Sequence, residues 1–233
     1  MPHYTWVIVG LIVIAAVMFA ACSRRRAAQS EQLDKAKPAA SHEEIDATIA
    51  DWVDSKVREG FETRKEIVQG VTEIIDDEYE VSDAADRVAR EVERRLKEHL
   101  RSQSSWPQVT DCDRIDRAFA ALEAKGIVAR QNFTCCQTCG NAEIGEEIEE
   151  FAKTIEPKGY TYYHMQDTEG ACEDGSLYLA YGTVGGTDED AVAVGNTIRD
   201  TLVENGLTVE WDGQLDKRIC ITGLDWKKRR NPE

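Results

Sequence analysis

Residues 131–144 read QNFTCCQTCGNAEI, and the fold turns on that stretch. Ile127 to Thr134 has the β-prone character of a strand, and from Asn141 to Thr154 apolar residues recur at helical spacing. The stretch therefore predicts a strand handing over to a helix, with Cys135, Cys136 and Cys139 packed into the junction. Thiols that close hold a metal, pair with each other, or stay reduced.

Working outward, the same criteria predict strand Tyr160 to Gln166, strand Leu177 to Thr183, helix Asp188 to Glu204, strand Leu207 to Trp211 and strand Arg218 to Thr222. A helix from Asp111 to Ala124, ended by Gly126, precedes them. From the first strand the order is βαββαββ. Split βαβ units of this kind predict an α+β, ferredoxin-like βαββαβ sandwich with an extra strand. Period-2 alternation puts Leu177, Leu179 and Tyr181, Leu207, Val209 and Trp211, and Ile219 with Ile221 under the helices. The opposite face carries Arg130, Asn132, Thr134, Tyr178, Glu210, Arg218, Cys220 and Thr222. Such a polar face is wet, covered by other helices, or a ligand surface, and in the last case Arg130, Tyr178, Glu210 and Arg218 are its candidates.

Three further helices are expected ahead of this domain. Ser41 with Glu44 forms a capping box before Ile45, Ile49, Trp52, Val53 and Val57, and Gly60 stops the run. Thr63 with Glu66 repeats the signal before Ile67, Val68, Val71, Ile74 and Ile75, and a third apolar stripe runs from Ala85 through Val88, Val92 and Leu96. Short connectors predict antiparallel neighbours in a small helical subdomain over 41–105, with the α+β domain over 106–227.

At the other end of the chain, Trp6 to Cys22 is apolar and uncharged. As a helix it covers roughly the hydrocarbon thickness of a bilayer, so residues 1–22 are expected to span a membrane. Arg24, Arg25 and Arg26 follow at once, which predicts a single pass with the N-terminus outside and the C-terminal domain in the cytoplasm. Cleavage as a signal peptide lacks a positive n-region, and lipoprotein processing at Phe19-Ala20-Ala21-Cys22 is opposed by the three arginines. Residues 23–40 read as a polar tether. The tail 228–233, basic at Lys228, Arg229 and Arg230 and preceded by Lys227, is expected to touch anionic lipid or to lie in solvent.

A net charge of −16 argues against nucleic acid as a partner, because phosphate affinity comes from clustered Lys and Arg. Seven cysteines, unevenly spaced, do not make a disulfide scaffold, and their odd number fits a reducing compartment.

The segment TDCDRIDRAFAALEAKGIVARQNFTCCQTCG, Thr110 to Gly140, resembles a bacterial family catalogued as domain of unknown function 6891. The resemblance continues through GYTYYHMQDTEG, LYLAYG and VEWDGQLDKRI and back to GFETRKEI, covering roughly Ile49 to Trp226. It implies a domain boundary and brings no catalytic residue, cofactor or partner with it. The apolar N-terminal run is this chain's addition.

Two chemistries compete for the close cysteines. Cys136-Gln-Thr-Cys139 at a helix start is the setting that activates C-x-x-C redox thiols, through backbone N–H groups and the helix dipole. The following order, two strands after one helix, departs from a thioredoxin-like pattern. Zinc would take Cys135, Cys136 and Cys139 with a fourth ligand from Cys112 or His164, or from Cys172 or Cys220. His164 otherwise reads as a structural histidine, and Asp111 or Asp113 as a helix cap. The sequence thus predicts a membrane-anchored, non-enzymatic binding or interaction domain of unidentified protein partner, with zinc as candidate cofactor. A thiol-dependent oxidoreductase using Cys136 and Cys139 is the alternative.

Overall fold

A computed structural model of the chain describes residues 40–231. The first core is helical, built from α1 (His42–Glu59), α2 (Arg64–Glu78) and α3 (Ala84–Ser102). Ser41 with Glu44 and Thr63 with Glu66 exchange backbone and side-chain hydrogen bonds as capping boxes, satisfying first-turn N–H groups that have no partner within the helix. Ile45, Ile49, Val53 and Val57 of α1 close on Ile67, Val71 and Ile75 of α2 and on Ala84, Val88 and Val92 of α3. The expected stripes therefore make a core of their own.

A short 3-10 turn at Gln103–Ser105 leads into the second unit: α4 (Asp111–Ala124), β1 (Ile127–Arg130), α5 (Gln137–Phe151), β2 (Gly159–Tyr162), α6 (Met165–Asp174), β3 (Leu177–Thr183), α7 (Asp188–Glu204), β4 (Thr208–Glu210) and β5 (Ile219–Thr222). The five strands form one mixed sheet in the order β1-β2-β3-β5-β4. The α+β class and the strand count are as expected, but the ferredoxin-like order is not found. In a split βαβ unit another strand separates the two parallel strands, whereas β1 and β2 are parallel and direct neighbours, Ile127 opposite Gly159 and Arg130 opposite Tyr162. The remaining pairs, β2 with β3, β3 with β5 and β4 with β5, are antiparallel.

Helix α6 is the main departure from the sequence reading. The strand expected to run to Gln166 stops at Tyr162, because His164 caps a new helix: its Nδ1 accepts from the Asp167 N–H at 3.2 Å and Asp167 Oδ2 accepts from the His164 N–H at 3.0 Å. The strand expected to reach Thr134 stops at Arg130, where Asn132 and Thr134 take positive φ of 51° and 60°. Left-handed residues cannot continue a strand.

Leu177, Leu179, Leu207, Ile219 and Ile221 lie with Ile115, Phe119 and Leu122 of α4 and Ile198 and Leu202 of α7 in the main core, and Tyr181, Val209 and Trp211 pack at its edge. The inward face is thus the one alternation indicated. Each fully buried aliphatic side chain contributes about 1.5–3 kcal/mol through loss of apolar surface to water. The opposite face is shared: α5 lays Ile144 on Tyr162 and Ala180, while Tyr178 on β3 remains 46% exposed.

The basic tail does not take the solvated course, one of the two expected for it. Instead of extending into solvent it straps the two cores together: Trp226 Nε1 donates to the Glu59 carbonyl at 3.3 Å, Lys228 sits over the Phe61 ring at 4.6 Å and pairs with Asp116 at 3.2 Å, and the Arg230 N–H donates to Gln103 Oε1 at 2.6 Å. Arg229 stacks on Trp106 at 5.8 Å. The expected membrane helix (1–22) and residues 23–39 of the expected tether lie outside the described residues. Among the described residues, no helix is long and apolar enough to cross a membrane.

Candidate functional site

Strands β1 and β2, being parallel, deliver their carboxyl ends side by side. The loop after β1 and the turn after β2 are tied together beyond the strands: the Phe133 N–H donates to the Tyr163 carbonyl at 2.8 Å, the Met165 N–H to the Thr134 carbonyl at 3.1 Å, and Thr168 Oγ1 to Asn132 Oδ1 at 2.7 Å. Tyr163, fully buried, donates to Gln131 Oε1 at 2.7 Å. These bonds hold the chain where Asn132 and Thr134 are left-handed, a conformation that is costly for a β-branched residue and persists only when its surroundings enforce it.

From that loop the chain enters α5 with Cys136 at the N-cap position. The Sγ atoms of Cys135, Cys136 and Cys139 all lie within 4.8 Å of one another, and Cys135 and Cys139 are 3.4 Å apart. Cys135 is exposed and the other two are half-buried. Beneath them Tyr162 donates to Asn141 Oδ1 at 2.6 Å, and Gly140 lets the first turn of the helix rest on that ring. Helix α5 enters its first turn without an acidic residue, whereas α1, α2, α3, α4, α6 and α7 each carry one there. Its unpaired N–H groups and positive dipole end are left to the sulfurs.

The electrostatics are uneven. The Cys139 backbone N–H, then the Cys135 and Cys139 thiols, hold the Cys136 thiol below the ordinary cysteine range. Cys139, hydrogen-bonded by Cys135 and Cys136, is pushed up to about 12. One sulfur is thereby favoured as thiolate, while further ionisation waits for a cation or a covalent partner. Three sulfurs at this spacing supply three ligands for a thiophilic ion, and Cys136 with Cys139 supplies a redox-type pair.

The remaining candidates fall elsewhere. Cys112 is buried against the strap, and burial pushes it up to about 12. Cys172 is likewise pushed up to about 12 by burial, and Cys220 is buried in β5. His164 is committed to its cap, with burial lowering its affinity for a proton. None of these four joins the thiol group. The candidate ligand surface divides: Arg130 is held by Glu147 and Glu123, both at 2.6 Å, while Tyr178, Cys220 and Glu210 stand in register across β3, β5 and β4. Arg218 lies 5.9 Å from the Tyr178 ring centroid and forks onto Asp167 with bonds of 2.9 and 2.6 Å. The sequence did not indicate that Asp167–Arg218 pair, because the two residues are 51 positions apart.

A sequence model of the family described as Domain of unknown function (DUF6891) matches residues 42–230, a span that includes every helix and strand described above. No curated protein and no solved structure matches the chain.

Proposed function

Because the chain belongs to the family described as Domain of unknown function (DUF6891), which carries no assigned chemistry, we propose a function from the thiol site itself: a binding domain whose Cys135, Cys136 and Cys139 hold a thiophilic metal ion such as zinc. The observation that carries this reading is the approach of three sulfurs to within 4.8 Å at the start of one helix. Thiolate ligands select zinc and similar soft ions over calcium or magnesium. The apolar run Trp6 to Cys22 and the arginines after it support a single-pass anchor with the domain on the cytoplasmic side. The domain then acts beside a membrane, on a protein partner of unassigned identity.

A specific observation keeps a second reading. The opposed shifts of Cys136, downward, and Cys139, upward, are those of an attacking and a resolving thiol. A thiol oxidoreductase would use that pair.

Metal analysis of the purified chain separates the two. The metal reading expects close to one zinc per chain, lost in Cys136→Ser and in Cys139→Ser. Metal-free protein with one thiol alkylated well below the ordinary cysteine range would favour the oxidoreductase, and thiols that react only after denaturation would overturn both.

A further inference from the structure

A four-coordinate ion at Cys135, Cys136 and Cys139 needs one donor more than the cluster supplies. Among the described residues, the group of Cys, His, Asp and Glu side chains within ligand distance ends at these three. His164, on the neighbouring turn, stands outside that group, its Nδ1 committed to the helix cap at Asp167.

The fold also has no need of a fourth ligand from the chain. All three sulfurs come from five consecutive positions, and the loop they occupy is already fixed by the Phe133, Met165, Thr168 and Tyr162 hydrogen bonds. Metal binding there does not tie distant strands together. The site has an exposed side at Cys135 and a helix start free of carboxylates. Three thiolates on a dication leave one net negative charge, and a fourth makes two. An uncompensated helix N-terminus favours such an anion, and an ion held by sulfur prefers another soft donor.

We propose that the ion takes its fourth ligand from outside the chain and that this ligand is a thiolate, making the site a metal-bridged receptor for thiols. The inference rests on the metal-binding reading above. In the binding step the incoming thiol gives its proton to solvent, its sulfur forms the bond to the metal, and the water that filled the position leaves; no electrons are transferred. The thiolate can come from a small soluble thiol or from a cysteine of a second copy of this chain.

The test uses the full chain loaded with cobalt(II), whose sulfur-to-metal charge-transfer absorption reports the number of thiolates. Titration of the dilute monomer with 2-mercaptoethanol should raise that absorption by about a third, four sulfurs in place of three, saturating at one thiol per ion. The S-methylated compound should do nothing. If a second copy is the source, the same rise appears without added thiol as chain concentration increases, together with a dimer in sedimentation. His164→Asn, which retains a capping acceptor, should leave the response unchanged. An unchanged band at millimolar thiol, four-sulfur intensity already present in the dilute monomer, or loss of the band as thiol strips the ion would each overturn the proposal while leaving metal binding intact. A chain that takes up no cobalt overturns the metal-binding reading itself, and the proposal with it.

Discussion

Gly140 lies against the ring of Tyr162 so closely that a Cβ added to it would stand 2.5 Å from Tyr162 Cε2. The first turn of α5, and with it the thiol cluster, is seated on that ring. Gly140→Ala should therefore lift the helix start rather than find room, because Tyr162 is itself fully buried. The expected cost is about 1–3 kcal/mol, the usual range for overpacking, read as a lowered denaturation midpoint. Metal affinity should fall with it, since the spacing of the three sulfurs depends on that seat. An Ala variant as stable as the parent would show that the helix does not rest where the structure has it.

The Arg218 guanidinium is bound to a carboxylate that is nearly inaccessible: Asp167 is 7% exposed. Removing one partner of such a pair leaves the other charge buried and unpaired. Arg218→Met should cost about 3 kcal/mol, and the double variant Asp167→Asn with Arg218→Met should recover a large part of it. The double-mutant cycle in urea checks this. Equal losses in the single and double variants would mean the pair contributes nothing beyond packing.

His164 predicts a pH dependence. Burial lowers its pKa in the folded chain below its ordinary value of 6.5, with Arg218 acting in the same sense and Asp167 opposing. The unfolded state then binds the proton more readily. Stability from this group is fully present above about pH 6.5 and is lost as pH falls from there through the folded value. His99, lowered chiefly by burial, acts in the same direction. Urea midpoints should fall between about pH 7 and pH 5, and His164→Asn should reduce that slope, with His99→Gln removing more. A slope unaffected by either substitution would place the dependence on other groups.

Helix α6 shows why part of the fold was legible and part was not. The boxes Ser41 with Glu44 and Thr63 with Glu66 carry recognisable oxygen caps, and the helices they start were read correctly. His164 with Asp167 performs the same exchange through a ring nitrogen, a signal that hydroxyl and carboxylate patterns do not contain. The strand Gly159–Tyr162 ends two positions before it, and Tyr163 between them has the same β-prone character, so nothing in local composition marks the stop. The thiol cluster was legible because all its members are local in sequence. The strap was not, because Lys228 meets Phe61 and Asp116 only after the chain has closed on itself.

That closure can be tested by truncation. Residues 226–231 bond to Glu59, Gln103 and Asp116, so a chain ending at Asp225 should lose the coupling between the helical core and the sheet. Calorimetry should then show two transitions where the intact chain shows one. The same truncation measures the alternative role of the tail. Binding to vesicles rich in anionic lipid should change little, because Lys228 and Arg229 face Asp116, Phe61 and Trp106.

Thr134 offers the sharpest separation of stability from function. At φ 60° it occupies a region that β-branched residues avoid, and strain of this kind amounts to about 1–3 kcal/mol. Its hydroxyl recovers part of that by donating to the Cys136 carbonyl at 3.2 Å. Thr134→Gly relieves the strain but removes the hydrogen bond and adds glycine's entropy loss on folding, a gain and a summed loss that are each about 1–2 kcal/mol, so the global midpoint should move little. What should change is the site: without the hydroxyl, and with a glycine's freedom one residue before Cys135, the sulfurs are no longer held together in advance. Thr134→Gly is expected to weaken zinc or cobalt affinity several-fold while unfolding at nearly the parent midpoint. A variant equal to the parent in both respects would mean that the left-handed turn is incidental to the thiol cluster.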